Sequence, residues 1–217
     1  MSVFILSRHN SIASQYLAEL RDTGIQNDRM RFRRNVERIG EVLAYEISRQ
    51  SIYKNEQVVT PLGTKECSLL VDQPIIITIL RAGVPFFEGF INIFDKADAG
   101  FIGAYRGNYD EKGDFDIEMG YKALPDLTTR TIIVADPMLA TGKSLLKAIN
   151  TILQYGKPGQ IHVAALIAAE QGLKYLQQNL PSEVKYWIGD LDKELNNKSY
   201  IVPGLGDAGD LCYGKKV

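Results

Sequence analysis

Histidine and cysteine are scarce in this chain, two of each among 217 residues, and there is a single tryptophan. Cys67 and Cys212 fit neither a disulfide framework nor a metal site, so they read as small buried or incidental thiols in a reducing cytosol. His162 sits between Ile161 and Val163 in a strand pattern, which suits a hydrogen-bonded structural histidine, and His9 lies close to the terminus. The chain therefore offers no good general base, and chemistry that needs none is favoured. An excess of charge of one sign is lacking too. Lys and Arg number 25 against 26 Asp and Glu, a formal net charge of −1, which argues against a surface built to coat nucleic acid or an anionic membrane. No apolar run approaches the roughly 18 residues of a membrane span, and the run VFIL before Ser7 and Arg8 is too short for a signal peptide. These absences lead to the expectation of a soluble cytoplasmic protein without a nucleic-acid or membrane partner. With 45% apolar residues the chain can bury a core, and its length suits one domain over 1–217.

What is present is concentrated first in Thr131 to Leu146, TIIVADPMLATGKSLL. Thr131 to Ala135 is β-branched and apolar over too few residues for a helix, so it reads as a buried parallel strand. Asp136 stands at its C-terminal end and Pro137 interrupts the ladder. Ala140, Thr141 and Gly142 are small enough for backbone to wrap around an anion. Helical periodicity resumes in Lys143, Ser144, Leu145, Leu146, Ala148 and Ile149. That turns first-turn N–H groups and a positive dipole end toward the loop, worth about 0.3 to 2 kcal/mol to an anion. Asp136 would repel a phosphate at that spot but would accept hydrogen bonds from sugar hydroxyls attached to it, so a phosphorylated ribose satisfies both demands. Gly142, Lys143 and Ser144 spell the end of a P-loop, yet the first glycine of that motif would fall on Pro137, and an ATPase reading fails on spacing.

Two further stretches share this design. Pro74 to Leu80, PIIITIL, is a second buried strand that breaks at Arg81, Ala82 and Gly83, a charged residue beside two small ones where open α/β sheets place ligands. A guanidinium there forks onto paired phosphate oxygens, which makes Arg81 a pyrophosphate candidate. In Tyr200 to Asp210, YIVPGLGDAGD, Gly204, Gly206 and Gly209 expose backbone, Pro203 stiffens it, and Asp207 and Asp210 supply acceptors. Backbone N–H and C=O groups held at fixed spacing can read a pyrimidine edge.

The remaining pattern predicts a helix from Ser11 to Arg21 with Ile12, Leu17 and Leu20 on one side. It predicts an amphipathic helix from near Asn27 that buries Phe32, Val36, Ile39, Leu43 and Ile47. The arginines of that helix stand among Glu37, Glu41 and Glu46 and read as a solvated, ion-paired face. Thr60 to Gly63 reads as a turn. Val84 to Phe94 reads as a helix whose phenylalanines are core, and Phe101 to Tyr105 as a strand that opens into a polar hairpin arm over 106–122, expected to be mobile. Strands at Gln160 to Ala168 and Val184 to Gly189 flank a helix at Glu170 to Gln178, and Trp187 reads as core. The predicted class is α/β, a mainly parallel sheet with helices on both faces, a hairpin arm and a helical part over 1–50.

DPMLATGKS at Asp136 to Ser144 resembles the DPMLATGGS signature of the uracil phosphoribosyltransferases, within the wider type I family that uses phosphoribosyl pyrophosphate (PRPP). ILRAG at Ile79 to Gly83 and YIVPGLGDAGD agree with the same family. The resemblance implies transfer of the phosphoribosyl group from PRPP to N1 of uracil, giving UMP and pyrophosphate in pyrimidine salvage, with Mg2+ held mainly by the pyrophosphate and not directly by the protein. It implies that Arg81, Arg106, Asp136, Pro137, Met138, Leu139, Ala140, Thr141, Gly142, Lys143, Ser144 and Asp207 bind PRPP, with Arg81, Asp136 and Asp207 as the catalytic set. Ile201, Gly206, Asp207 and Ala208 would line the uracil pocket. Related enzymes often hold the ILRAG loop in a non-proline cis peptide. A homodimer or higher homo-oligomer, N-terminal helices in packing and subunit contact, and GTP as a candidate effector go with the resemblance. Lys143 in place of the second loop glycine, Val84-Pro85 in place of Leu-Gly, and AAEQG at Ala168 to Gly172 in place of AAPEG depart from the family pattern without removing a named functional group. Two rivals are an RNA-binding regulator with residual transferase chemistry, which the near-neutral charge counts against, and a purine transferase, whose base loop should differ from YIVPGLGDAGD.

Overall fold

The computed structural model of the chain describes residues 2–109 and 115–215, without the side chains of 104–109 and 115–118. In chain order the elements are β1 (Ser2–Ile5), α1 (Ala13–Arg21), α2 (Arg29–Ser48), β2 (Tyr53–Thr60), β3 (Gly63–Leu70), β4 (Ile75–Leu80), α3 (Gly83–Ile93), β5 (Asp98–Tyr109) and β6 (Phe115–Ala123). They continue with β7 (Thr131–Ala135), β8 (Met138–Leu139), α4 (Lys143–Ile152), β9 (Gln160–Ala169), α5 (Glu170–Asn179), β10 (Lys185–Asp192), β11 (Glu194–Leu195), β12 (Ile201–Val202) and α6 (Ala208–Tyr213).

The short β-branched runs that read as buried strands occupy the middle of one sheet, ordered β1-β10-β9-β7-β4-β5-β6, with β8 pairing onto β9. All of its pairings are parallel except β5 with β6. Ile75, Ile76, Ile77, Ile132, Ile133 and Val134 are fully buried, as strands covered on both faces require. One face is packed by α1, α2, α3 and α6 through Leu17, Phe32, Val36, Ile39, Phe86, Phe90 and Cys212, in one cluster with Trp187 of β10. The other is packed by α4 and α5 through Leu145, Ile149, Leu173 and Leu176. After β4 the chain turns to β5 on one side, and after β7 it turns to β9 on the other. The C-terminal ends of β4 and β7 therefore flank a topological switch point, where a crevice opens.

Asp28 caps α2 by accepting from the Arg31 N–H, and all five predicted apolar positions of that helix are buried. Arg34 pairs with Glu37 and Arg49 with Glu46 within the helix, while Arg31 crosses to Glu19 on α1. Ile12 corrects the predicted apolar side of the first helix: it is 60% exposed and precedes α1, whose buried side is Ala13, Leu17 and Leu20. The sequence pattern gave no sign of the edge strand β1, of the largely exposed hairpin β2–β3 on either side of the Thr60–Gly63 turn, of the extension of β10 to Asp192, or of the short elements β8, β11, β12 and α6. The predicted arm over 106–122 falls on β5 and β6, and its tip at 110–114 lies outside the described residues. Among the described residues no helix is long and apolar enough to cross a membrane.

Candidate functional site

The crevice at the switch point is a cleft of ≈ 820 Å³ whose walls come from three separate parts of the chain. Arg81 lines it just after β4, Asp136 to Ser144 line it after β7, and Ile201, Gly206, Asp207 and Ala208 form a third wall, whose Asp210 stands beside Arg81. Every site residue expected from the sequence lines this one cleft, save Arg106, which lies on β5 with a side chain outside the described residues.

Pro137 interrupts the ladder with β9, as the sequence suggested, without changing its register. The Asp136 N–H donates to the Ala164 carbonyl at 3.0 Å, and the Pro137 carbonyl accepts from Leu166 and Ile167 before β8 resumes the ladder. The backbone is thereby pinned on both sides of Asp136, and its carboxylate stays in the cleft with one long contact, from the Met138 N–H at 3.4 Å. Burial pushes that carboxyl up to about 6, only partly offset by the Met138 N–H. An acceptor this poorly satisfied is ready for hydroxyl donors.

Gly142 caps α4 with φ of 80°, the left-handed region that favours glycine. Behind it Gly172, at the start of α5, presses on the loop. A Cβ added there would fall 2.1 Å from the Ala140 carbonyl oxygen. The AAEQG stretch thus departs from the family in its Glu and Gln while retaining the glycine that the loop needs. Gly172→Ala is expected to push the loop toward the cleft, raising the PRPP KM by about tenfold and destabilising the fold by about 1 to 3 kcal/mol, as steady-state kinetics and thermal melts would read.

Arg81 follows a cis Leu80–Arg81 peptide, as the resemblance led one to expect. Its side chain is 40% exposed and meets Asp210 at 3.4 Å, too long for a strong pair, so the guanidinium is available to a ligand. Asp207 also shapes the fold, because its carboxylate caps α6 by accepting from the Asp210 N–H at 2.9 Å. The loop before it is shaped by β11 pairing with β12 and by Asn196, whose side-chain oxygen accepts from the Lys198 and Tyr200 N–H groups. Val202–Pro203 is cis, and Gly204 and Gly206 have φ of 61° and 96°.

Lys143 lines both this cleft and a neighbouring groove of ≈ 650 Å³ that includes Lys174, Tyr175 and Lys193. His162 is no base: its Nδ1 accepts from the Trp187 indole N–H at 2.8 Å, and burial followed by the charge of Lys185 lowers it to about 4. Cys212 is on the buried side of α6, and burial raises its thiol to about 11. What sequence reasoning missed is the support behind the Tyr200–Asp210 loop, supplied by Arg21, Asp190 and Asp192. The one available signal was the alternation of Asp190, Leu191 and Asp192 at the end of an apolar strand.

The comparisons with known proteins agree with this geometry. A family model described as uracil phosphoribosyltransferase matches residues 6–215. A uracil phosphoribosyltransferase of Porphyromonas gingivalis is 47% identical over 217 residues, covering 100% of both chains. One of Pyrococcus furiosus is 39% identical over 206 residues, covering 94% of this chain and 86% of its own. Among solved structures, the AQ2163 protein from Aquifex aeolicus is similar with a TM-score of 0.85 and 32% identity over 99% of each chain. With the match running nearly end to end, and the three motifs gathered on one cleft, the chain belongs to the uracil phosphoribosyltransferase family.

Proposed function

We propose that this chain, working as one domain in the cytoplasm, transfers the phosphoribosyl group of PRPP to N1 of uracil in pyrimidine salvage. The observation that supports the reading is the single cleft on which a phosphate loop with its own carboxylate, an arginine and a glycine-rich backbone loop converge. Backbone N–H groups of 139–144 would hold the 5′-phosphate at the start of α4, and Asp136 the ribose hydroxyls. Arg81 would take the pyrophosphate, joined by Arg106 as the resemblance implies. The Ile201, Gly206, Asp207 and Ala208 wall would read the uracil edge.

In the transfer, the bond from C1′ to the pyrophosphate oxygen breaks, the bond from C1′ to N1 forms, and the N1 proton is released. Pyrophosphate is already a good leaving group, so the protein's contribution is alignment and stabilisation of separating charge. Magnesium would neutralise charge on the pyrophosphate. The carboxylates of Asp136 and Asp207 in the cleft are oxygen donors of the kind magnesium takes and would serve as outer partners for an ion that arrives with PRPP.

A homodimer or larger homo-oligomer is supported by the hairpin β2–β3, which exposes Val59 and Leu62 at 84% and 101%. Replacing both by Glu is expected to shift the sedimentation coefficient toward that of the monomer, and an unchanged coefficient would contradict this. The function itself is tested by UMP formation from PRPP and magnesium, with uracil, cytosine, hypoxanthine and guanine offered separately. Product with uracil alone is expected; product with a purine, or with no base, would overturn the reading.

A further inference from the structure

The backbone of Gly204, in the loop proposed to face the base, is held by charged side chains from outside the cleft. Arg21, the last residue of α1, donates through Nη1 to the Gly204 carbonyl oxygen at 2.8 Å. The Gly204 N–H donates to Asp192 Oδ2 at 3.0 Å. The two side chains are themselves joined, since Arg21 reaches both Asp192 oxygens at 2.8 and 3.0 Å and Asp190 at 2.7 Å. Both backbone polar groups of Gly204, in the two peptide units that flank its Cα, are thus clamped by a bridge whose side chains are 19%, 8% and 28% exposed for Arg21, Asp192 and Asp190. Gln26, in the turn after α1, adds a bond to the Leu205 carbonyl at 3.3 Å.

Gly204 is two residues from Gly206, and its own φ of 61° leaves no room for a side chain, because a Cβ there would sit 2.1 Å from the Ile201 carbonyl oxygen. A loop that recognises a base by backbone atoms has no side chains with which to correct a displaced backbone. Its register must be set from behind. Asp192 lies at the end of β10 and Arg21 at the end of α1, so the clamp ties the loop to the sheet and to the N-terminal helices together.

We infer that Arg21 and Asp192 are positioning residues for the base: they hold the backbone at Gly204 so that the loop presents its own backbone to uracil, and they act on base recognition in preference to PRPP binding. This rests on the assignment of the 201–208 wall to uracil. It gives the N-terminal helices a part in specificity besides packing.

The test uses Arg21→Lys, which keeps the charge but cannot fork onto a carbonyl and two carboxylates at once, and Asp192→Asn, which is isosteric and keeps an acceptor for the Gly204 N–H. With thermal melts beside the kinetics, each variant is expected to raise the uracil KM about tenfold while the PRPP KM changes less than about twofold. Arg21→Lys with Asp192→Asn combined should raise the uracil KM by less than the product of the two single effects, because both act on the backbone of one residue and the two side chains are themselves joined. Equal changes in the two KM values, no change in either, or loss of the cooperative melt in both single variants would overturn the positioning role. A wild-type protein that makes no UMP from uracil would instead overturn the assignment of the site on which it rests.

Discussion

Asp136→Asn is expected to lower turnover by about 10² to 10³-fold while making the protein more stable at neutral pH. The two effects have one origin. The carboxyl ionises near 6 in the fold against an ordinary value of 3.8, because burial outweighs the single long bond from the Met138 N–H. Between those values the folded protein holds a proton that the unfolded chain has lost. Stability therefore falls as pH rises from about 4 to about 6, and the full cost persists above that range. The shift corresponds to about 3 kcal/mol, reduced to about 2 kcal/mol by cleft water. Asn keeps the acceptor for Met138 and removes the charge, so the melting temperature should rise by about 4 to 8 °C at pH 7.5 and not at all below pH 4. In the wild-type protein kcat/KM for PRPP should decline as pH falls through about 6, as the carboxylate that would receive the ribose hydroxyls takes up its proton. Full turnover in a folded Asp136→Asn protein would remove Asp136 from the chemistry, and an equal melting temperature at both pH values would contradict the buried charge as the source of the instability.

Arg81→Ala should raise the PRPP KM by about 30 to 100-fold, equivalent to about 2 to 3 kcal/mol for a lost charge-assisted fork, and leave the uracil KM within about threefold. The cost in stability should be small. Arg81 is 40% exposed, and its only described ion pair, to Asp210, spans 3.4 Å, a contact that the pyrophosphate would displace. Arg81→Lys is expected to recover part of the affinity, since a point charge replaces attraction but not the planar fork. Unchanged PRPP kinetics in Arg81→Ala would refute the pyrophosphate assignment.

The parts of the molecule legible in advance are those in which one physical demand dominates. Thr131 to Ala135 and Ile75 to Leu80 are apolar and short because they are covered on both faces, and no competing reading survives. The stripe from Phe32 to Ile47 announced α2 because each of its residues is buried at helical spacing. The hairpin β2–β3 escaped because most of it is exposed on both faces, so burial imposed no alternation on YKNEQVVT or GTKECSLL. β1 is a four-residue edge strand, below the length at which a pattern can be told from chance. At the site, glycines and charged residues at strand ends marked the surfaces that face the cleft. The clamp on Gly204 was hidden because its partners are 171 and 183 residues apart for Arg21, and a salt bridge between distant segments leaves no periodic trace. The same holds for Gly172, whose pressure on Ala140 appears only when α5 is folded against the loop.

The measurement that tests the central claim most directly is a crystal structure with UMP bound. One UMP is expected in the cleft between the ends of β4 and β7, its phosphate within hydrogen-bond distance of backbone N–H groups of 139–144 and its ribose hydroxyls on Asp136. Its base edge should meet backbone atoms of Ile201, Gly206 and Ala208. A UMP lodged instead in the groove beside Lys174 and Lys193, or turned so that its base lies on the 139–144 loop, would contradict the claim.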